Sequence, residues 1–311
     1  MDDNSALDAV NNIRNQLGRV IMGRDDFLEL FLTVFFARGH LLIQGPPGSG
    51  KTTLVKALAA LNNGPDFIFS RVQCTSDLLP YDVTGTEVFN PKEGNFFFRK
   101  GPLLANLVLA DEFNRATPKV QAAFLEAMAE EQVTVGGETH RLPKPFCLIA
   151  TQNPKDINGI YPLTWSQRDR FMLSLNADFA GPETELAILE GPSPAERISA
   201  LEPVNLREIL DAAAESAAKI YFDMALKKQM VRLANRIRES SDIVNGISTR
   251  ALEQYADACR FLAFIRGRDF VGDVELRDLY LPALRHRAMT GGKDGDVDGL
   301  LDEIWRKENK I

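Results

Sequence analysis

The eight residues 45–52, which read GPPGSGKT, constrain the fold more than any other part of the chain. They match the pattern G-x-x-x-x-G-K-[ST] at every fixed position. A short apolar stretch, residues 40–43, precedes the motif, and residues 53–61 follow it with an apolar face at helical spacing. The sequence therefore predicts a buried strand, a glycine-rich loop and a helix, in the order that a phosphate-binding loop requires.

A loop of this kind binds the phosphates of a nucleotide. Its backbone N–H groups surround a phosphate, and the helix that follows adds the partial positive charge of its N-terminus. Lys51 supplies a full positive charge to the β- and γ-phosphates, and the hydroxyl of Thr52 is placed to bind Mg²⁺. We therefore predict ATP and Mg²⁺ as ligands. The predicted nucleotide contacts are Gly45, Pro46, Pro47, Gly48, Ser49, Gly50, Lys51, Thr52 and Thr53.

The composition is that of a folded, soluble protein. A chain of 311 residues, 45% hydrophobic and 25% charged, is long enough for two domains. Its net charge of −7 argues against a protein that coats nucleic acid or an anionic membrane. The three cysteines lack zinc-binding spacing, which favours reduced thiols. Because no signal peptide is recognised and the apolar runs are too short to span a bilayer, we expect a cytoplasmic protein without membrane insertion.

A second apolar stretch, residues 107–110, ends in two carboxylates, Asp111 and Glu112. By itself such a stretch is more typical of a strand that leaves the core for solvent. Together with the phosphate-binding loop, it favours the other half of a nucleotide site. Phosphoryl transfer depends on positioning and charge, so we expect Asp111 to hold Mg²⁺ and Glu112 to polarise the attacking water.

A third apolar run, residues 146–150, is followed by Asn153 and Pro154. A plain turn is one reading of these two residues. The other is that the Asn153 amide contacts the γ-phosphate or the attacking water. Ligands of open α/β sheets lie at the carboxyl ends of the strands, so Lys51, Asp111 and Asn153 are predicted to meet in one crevice.

Taken together, these motifs and several longer strings resemble the MoxR family of AAA+ ATPases. The family lies in the helix-2-insert group, which also contains the ATPase subunits of magnesium chelatases. The resemblance extends over about residues 20–171, with a weaker similarity over residues 248–287. The strings are RVQCTSDLLP at 71–80, TGTEV at 84–88, GPL at 101–103, ADEFNRA at 110–116, LEAM at 125–128, ATQNP at 150–154 and FIRGRD at 264–269.

The resemblance implies an α/β fold: an AAA+ P-loop core with a parallel sheet flanked by helices, β-hairpin inserts and a C-terminal all-α lid. Helical periodicity after residue 205 agrees with such a lid. The predicted boundaries are 1–180 for the core, with an insert at about 84–100 and a second hairpin at about 131–142, then 181–204 for a linker, 205–290 for the lid, and 291–311 for a linker and short C-terminal helix.

The family also implies roles for three further residues. Asn153 matches the sensor-1 asparagine, and Arg250 matches the sensor-2 arginine of the lid. Arg170 matches the arginine finger that one subunit offers to the γ-phosphate of its neighbour, so that hydrolysis depends on assembly. This chain reads WSQRDRF at 165–171, where family members commonly have EAQLDRF, and Arg168 therefore remains an alternative finger. Residues 20–23 match the segment that packs the adenine, although an apolar turn of the core explains them equally well.

Both predicted hairpins are expected to face the axis of a ring, usually six-membered. Phe96, Phe97 and Phe98 could contact a client there, or could simply pack the insert against its own subunit. Neither hairpin is rich in Lys or Arg, so no nucleic-acid partner is expected. The apolar face of the predicted C-terminal helix must dock on this lid, on a neighbour or on another protein.

The leading functional hypothesis is a chaperone-like ATPase that remodels or matures a client protein or complex. The resemblance implies a partner with a von Willebrand factor A domain. One alternative is a binding module that is switched by nucleotide and turns over incidentally. Another is the ATPase subunit of a chelatase, which would support metal insertion.

Overall fold

The computed structural model describes residues 1–155, 159–291 and 296–309. It contains a parallel β-sheet flanked by helices, two β-hairpins and a C-terminal helical domain, as predicted. The strands of the described residues are β1 (Leu41–Gln44), β2 (Phe69–Gln73), β3 (Gly85–Asn90), β4 (Asn95–Lys100), β5 (Leu107–Asp111), β6 (Gln132–Val135), β7 (Glu138–Arg141), β8 (Cys147–Gln152) and β9 (Leu173–Asn176).

Helices precede the sheet, alternate with its strands and follow it. They are α1 (Asp3–Val20), α2 (Asp25–Phe36), α3 (Lys51–Ala60), α4 (Pro80–Thr84), a 3₁₀ turn (Phe113–Arg115), α5 (Pro118–Glu130), α6 (Trp165–Arg168), α7 (Pro182–Glu190), α8 (Pro194–Ser199), α9 (Leu206–Ala218), α10 (Met224–Glu239), α11 (Thr249–Ile265), α12 (Asp273–Leu284) and α13 (Val297–Asn309). Within the described ranges, none of these helices is long and apolar enough to cross a bilayer.

The main sheet has the strand order β2-β5-β8-β1-β9, and all of its pairings are parallel. Every residue of β5 is buried, because helices cover both faces of a parallel sheet. Gln44 at the end of β1 pairs with Gln152 on β8 and with Asn176 on β9. The sheet therefore has one edge where its strands end, and an opposite edge where they begin.

The two hairpins are separate antiparallel pairs, β3 with β4 and β6 with β7. Gly136 and Gly137 form the two-residue turn between β6 and β7, with φ of 60° and 86°. Turns with positive φ at both central residues match the twist of paired strands, and glycine adopts them without strain. Phe96 and Phe97 on β4 are 67% and 49% exposed.

The C-terminal helices α9 to α12 share a hydrophobic core with the N-terminal helices α1 and α2. Arg266, at the end of α11, joins the two groups of helices through ion pairs with Glu29 on α2 and Glu275 on α12. Residues 181–204, expected to be a linker, include α7 and α8. Of the predicted C-terminal linker, residues 292–295 lie outside the described residues, as do 310 and 311.

The C-terminal helix α13 docks on the lid of its own chain. Its Trp305 lies against the ring of Tyr280 on α12, with centroids 4.9 Å apart. The Arg277 guanidinium lies over the ring of Trp305, 5.1 Å from its centroid, and the Tyr280 hydroxyl donates to the Leu301 carbonyl at 3.1 Å. Leu301 and Trp305 are both buried. The apolar face recognised in the sequence is thus covered within the chain.

Candidate active site

The GPPGSGKT motif forms the loop between β1 and α3, and Lys51 and Thr52 are the first residues of the helix. Gly48 and Gly50 have φ of 79° and 83°, a conformation that a side chain would strain. A Cβ on Gly45 would lie 2.3 Å from the carbonyl oxygen of Ala177, which follows β9. The motif glycines therefore meet two needs: left-handed backbone in the loop and close contact with a neighbouring strand.

The ammonium of Lys51 lies inside this loop. It donates to the carbonyl oxygens of Gly45 and Pro46 at 2.8 and 2.6 Å. Burial lowers the pKa of Lys51, and the nearby Asp111 carboxylate partly opposes that shift. Lys51 thus holds a partly desolvated positive charge where the loop would receive phosphate oxygens.

Asp111 and Thr52 form the predicted magnesium pair. The Thr52 hydroxyl lies 2.9 Å from Asp111 Oδ2, and Thr151 donates to Oδ1 at 2.6 Å. Burial disfavours the charged carboxylate, but hydrogen bonds from Thr151, Arg71 and Thr52 outweigh it and lower the pKa of Asp111. A carboxylate and a hydroxyl in contact are suitable Mg²⁺ ligands, since this ion usually takes one or two carboxylates together with phosphate oxygens and water.

Arg71, to which the sequence analysis assigned no role, is a third partner of Asp111. It lies on β2, and its Nη2 donates to Asp111 Oδ2 at 2.8 Å and to Gln73 Oε1 at 2.9 Å. Arg71 and Gln73 are two residues apart on one strand, so both side chains point to the same face of the sheet. Arg71 and Gln73 could have been identified from the alternation of side chains along β2, the strand beside β5.

Glu112 is held beside Asp111 by neighbouring polar groups. Its backbone is left-handed, with φ of 55°, and its N–H donates to the Thr151 hydroxyl at 3.0 Å. Gln73 Nε2 donates to Glu112 Oε2 at 3.0 Å, and Arg115 Nε lies 3.3 Å from the same oxygen. The carboxylate is thus oriented at the strand end, where a general base would be needed.

A cavity of about 440 Å³ joins these groups. Lys51, Thr52, Asp111, Glu112 and Asn153 all line it, so the structure brings these sequence-predicted residues together. A second cavity of about 390 Å³ lies across the loop, and the two share residues 48–50 and Thr53. Val20, Ile21 and Met22 line this second cavity together with apolar side chains from residues 179–189. A polar phosphate cavity beside an apolar one suits a nucleotide with its base and its phosphates on the two sides of the loop.

Arg170 and Arg250 lie elsewhere. Arg170 precedes β9, near the point where the Met172 N–H donates to the carbonyl of His40, the residue before β1. Arg250 Nη1 is 3.7 Å from Asp169 Oδ2, at the same edge of the sheet. The length of β1, roughly 13 Å at ~3.3 Å per residue, separates this edge from the start of the loop. The structure therefore groups these two arginines together and away from their own phosphate cavity.

The two candidate fingers differ in their contacts. Arg168 Nε donates to the Leu163 carbonyl at 3.1 Å, and burial lowers the pKa of Arg168. For the Arg170 guanidinium, the described part of the chain supplies neither a hydrogen-bond acceptor nor an ion-pair partner, although its charge acts on His40. Arg168 is thus bonded within the chain, whereas the Arg170 guanidinium makes no such contact with the described residues.

A parallel sheet, a phosphate-binding loop between its first strand and the next helix, and a carboxylate pair on a neighbouring strand define a P-loop NTPase. Comparisons with known proteins specify the class further. Residues 40–173 match the family model described as ATPase family associated with various cellular activities, and residues 235–304 match the AAA lid domain.

Individual relatives resemble most of the chain. Uncharacterized protein YeaC of Bacillus subtilis is 38% identical over 273 residues, covering 88% of this chain and 84% of YeaC. Chaperone MoxR1 of Mycobacterium tuberculosis is 36% identical over 300 residues, covering 93% of this chain and 76% of MoxR1. A crystal structure of a candidate ATPase from Cytophaga hutchinsonii superposes with a TM-score of 0.85 at 31% identity, covering 98% of this chain and 96% of that one. The chain belongs to the MoxR family of AAA+ ATPases.

Proposed function

We propose that this protein hydrolyses ATP at the interfaces of a cytoplasmic ring, six-membered as the resemblance implies. The observation that carries the proposal is the separation of Lys51 from Arg170. One edge of the sheet holds the phosphate cavity, and the opposite edge holds an arginine with no acceptor among the described residues. Copies arranged head to tail would bring the two edges together.

Each residue then has a defined task. Lys51 and the loop N–H groups bind the phosphates, and Thr52 and Asp111 would hold Mg²⁺, which would supply positive charge at the phosphates. Glu112 accepts the proton of the attacking water, and Asn153 orients that water. Arg170 of the adjacent copy neutralises charge on the γ-phosphate in the transition state, with Arg250 beside it.

We further propose that turnover remodels a client protein, with the exposed hairpin rings as the contact. Phe89, Phe96 and Phe97 are each about half exposed or more on one hairpin, an arrangement that is rare without a partner. One relative is named a chaperone. A von Willebrand factor A-domain protein is the partner that the resemblance implies.

Mixing two inactive variants tests the interfacial site. Arg170→Ala retains an intact phosphate cavity but no finger, and Glu112→Gln retains the finger but no general base. Each variant alone is expected to lose most ATPase activity, roughly 10³-fold or more for the arginine. The mixture should recover a substantial part, because Arg170→Ala sites next to Glu112→Gln subunits are complete. An active Arg170→Ala homomer, or a mixture that stays inactive, would refute the arrangement.

A further inference from the structure

The finger segment, residues 168–172, is held by side chains of the helical lid. Arg287, just after α12, is wholly buried, and its Nε donates to Asp169 Oδ1 at 3.1 Å. Its Nη2 donates to the carbonyl oxygens of Phe171 at 2.7 Å and Asp169 at 3.3 Å, and its Nη1 donates to that of Met172 at 3.3 Å. A single guanidinium thus binds three carbonyls and one carboxylate of the segment.

Other lid residues complete these contacts. The Ser248 hydroxyl, which caps α11, lies 2.8 Å from Asp169 Oδ1. Gln254 on α11 accepts from Arg287 and donates to the Arg170 carbonyl at 3.4 Å. His286 Nε2 lies 2.9 Å from the Phe171 carbonyl. All four carbonyl oxygens from residue 169 to residue 172 therefore face donors on the lid.

A buried ion pair contributes little net free energy to the packing of a lid against a core. Removing two charges from water is costly, and apolar residues of similar volume often stabilise a protein as well or better. Burial lowers the pKa of Arg287 to about 10, so the guanidinium remains charged at neutral pH beside Asp169. Unlike an apolar side chain, the planar guanidinium of an arginine holds several hydrogen-bond acceptors in one fixed arrangement.

We propose that Arg287 is a positioning residue for Arg170: by fixing the backbone on both sides of Arg170 to the lid, it aims the guanidinium at the phosphate site of an adjacent copy. The inference rests on the proposed interfacial site. It also means that a lid displaced from its own core would withdraw the finger from its neighbour. Misplacement by about 1 Å is enough to cost a reaction of this kind roughly 10²-fold.

The test is the double variant Asp169→Asn with Arg287→Met, which removes both charges and leaves neither one buried alone. We expect kcat to fall roughly 10²-fold, while the KM for ATP and the affinity for a fluorescent ATP analogue stay unchanged, because the phosphate cavity lies at the other edge. Mixing with Glu112→Gln should restore activity, as it should for Arg170→Ala. Arg277→Met is the matched control, since Arg277 is on α12 but pairs with Asp302 and Trp305; it should retain wild-type kcat.

The outcomes separate the two proposals. A double variant with wild-type kcat overturns the positioning role, and so does one that regains nothing in the mixture in which Arg170→Ala recovers. If neither mixture recovers, the interfacial site itself is wrong. Should the double variant fail to fold, Arg287→Lys keeps a positive charge beside Asp169 but lacks the planar fork that binds several carbonyls at once. It should lower kcat without changing KM, and wild-type kcat would reject the inference.

Discussion

The ring of Phe98 lies flat against the imidazole of His140, with centroids 3.7 Å apart and planes inclined by 8°. Phe98 is on β4 and His140 is on β7, so this contact joins the two hairpins. The turn of the second hairpin also approaches the first, because a Cβ on Gly136 would lie 2.6 Å from the Glu87 carboxyl group. The two hairpins therefore contact each other at the Phe98–His140 stack and at the Gly136 turn.

Replacing Phe98 and His140 with alanine, singly and together, measures this contact. We expect a coupling in the free energy of unfolding of about 0.5–1.5 kcal/mol, typical of an aromatic pair beyond its buried area. Chemical denaturation of the four proteins gives the value. Phe97→Ala, on the same strand and 49% exposed, is the control and should change stability little. Strictly additive effects of Phe98 and His140 would mean that the hairpins do not stabilise one another.

Arg71→Met should shift the pH dependence of Mg²⁺-dependent ATP binding. Arg71 is among the groups that lower the pKa of Asp111, so its removal raises that pKa. Because Mg²⁺ requires the carboxylate, binding is lost as pH falls through the pKa, and the loss should begin at higher pH in the variant. Titration of a fluorescent ATP analogue with Mg²⁺ across pH values measures it. Arg99→Met, an exposed arginine on β4, should match the wild type.

His40 should make the protein less stable in mild acid. Its Nδ1 accepts from the Leu148 N–H at 3.1 Å, which requires the neutral ring, and burial lowers the pKa of His40 to about 4 from 6.5. Between these values the unfolded chain binds more protons, so stability is full above pH 6.5 and falls as pH drops toward 4, by about 3 kcal/mol at most. His40→Gln should flatten this part of the stability curve. An unchanged slope would assign the acid sensitivity to other groups.

Trp305→Ala should strongly destabilise the lid. The side chain is 6% exposed and packs on Tyr280, and loss of a buried Trp typically costs about 3–5 kcal/mol. Denaturation with urea gives the change in the free energy of unfolding. Ile304→Ala, the neighbouring and less buried position, should cost less. Equal losses at the two positions would show that Trp305 is not the anchor of α13.

Local sequence patterns predict those site residues whose role depends on a single short segment. The loop needs its glycines and lysine in sequence, and apolar strands ending in Asp111 and Asn153 point to one sheet edge. Arg71 and Gln73 were missed because their role depends on β2 lying beside β5, which no short pattern specifies. The helices α7 and α8, which lie in the predicted linker, were not predicted for another reason. None of their residues is buried, so no apolar periodicity marks them, although the capping box of Ser193 and Glu196 was a readable signal.

The position of Arg250 depends on contacts between residues far apart in the sequence. Its string in the sequence matches that of a lid arginine, yet whether such a residue faces its own cavity depends on where the whole lid packs. Here the lid packs on α1, α2 and the strand-start edge of the sheet, through contacts such as Arg287 with Asp169. These contacts are between residues more than 100 positions apart, beyond the reach of periodicity or spacing.

The opposite placement of Lys51 and Arg170 has an arithmetic consequence under the proposed arrangement. An open row of n copies has n − 1 complete sites, with one unmatched cavity and one unmatched finger at its two ends. Closing the row into a ring creates one more site without adding a chain. The catalytic rate per subunit would thus report on closure itself, and a partner that opened the ring at a single interface would silence one site and leave the rest unchanged.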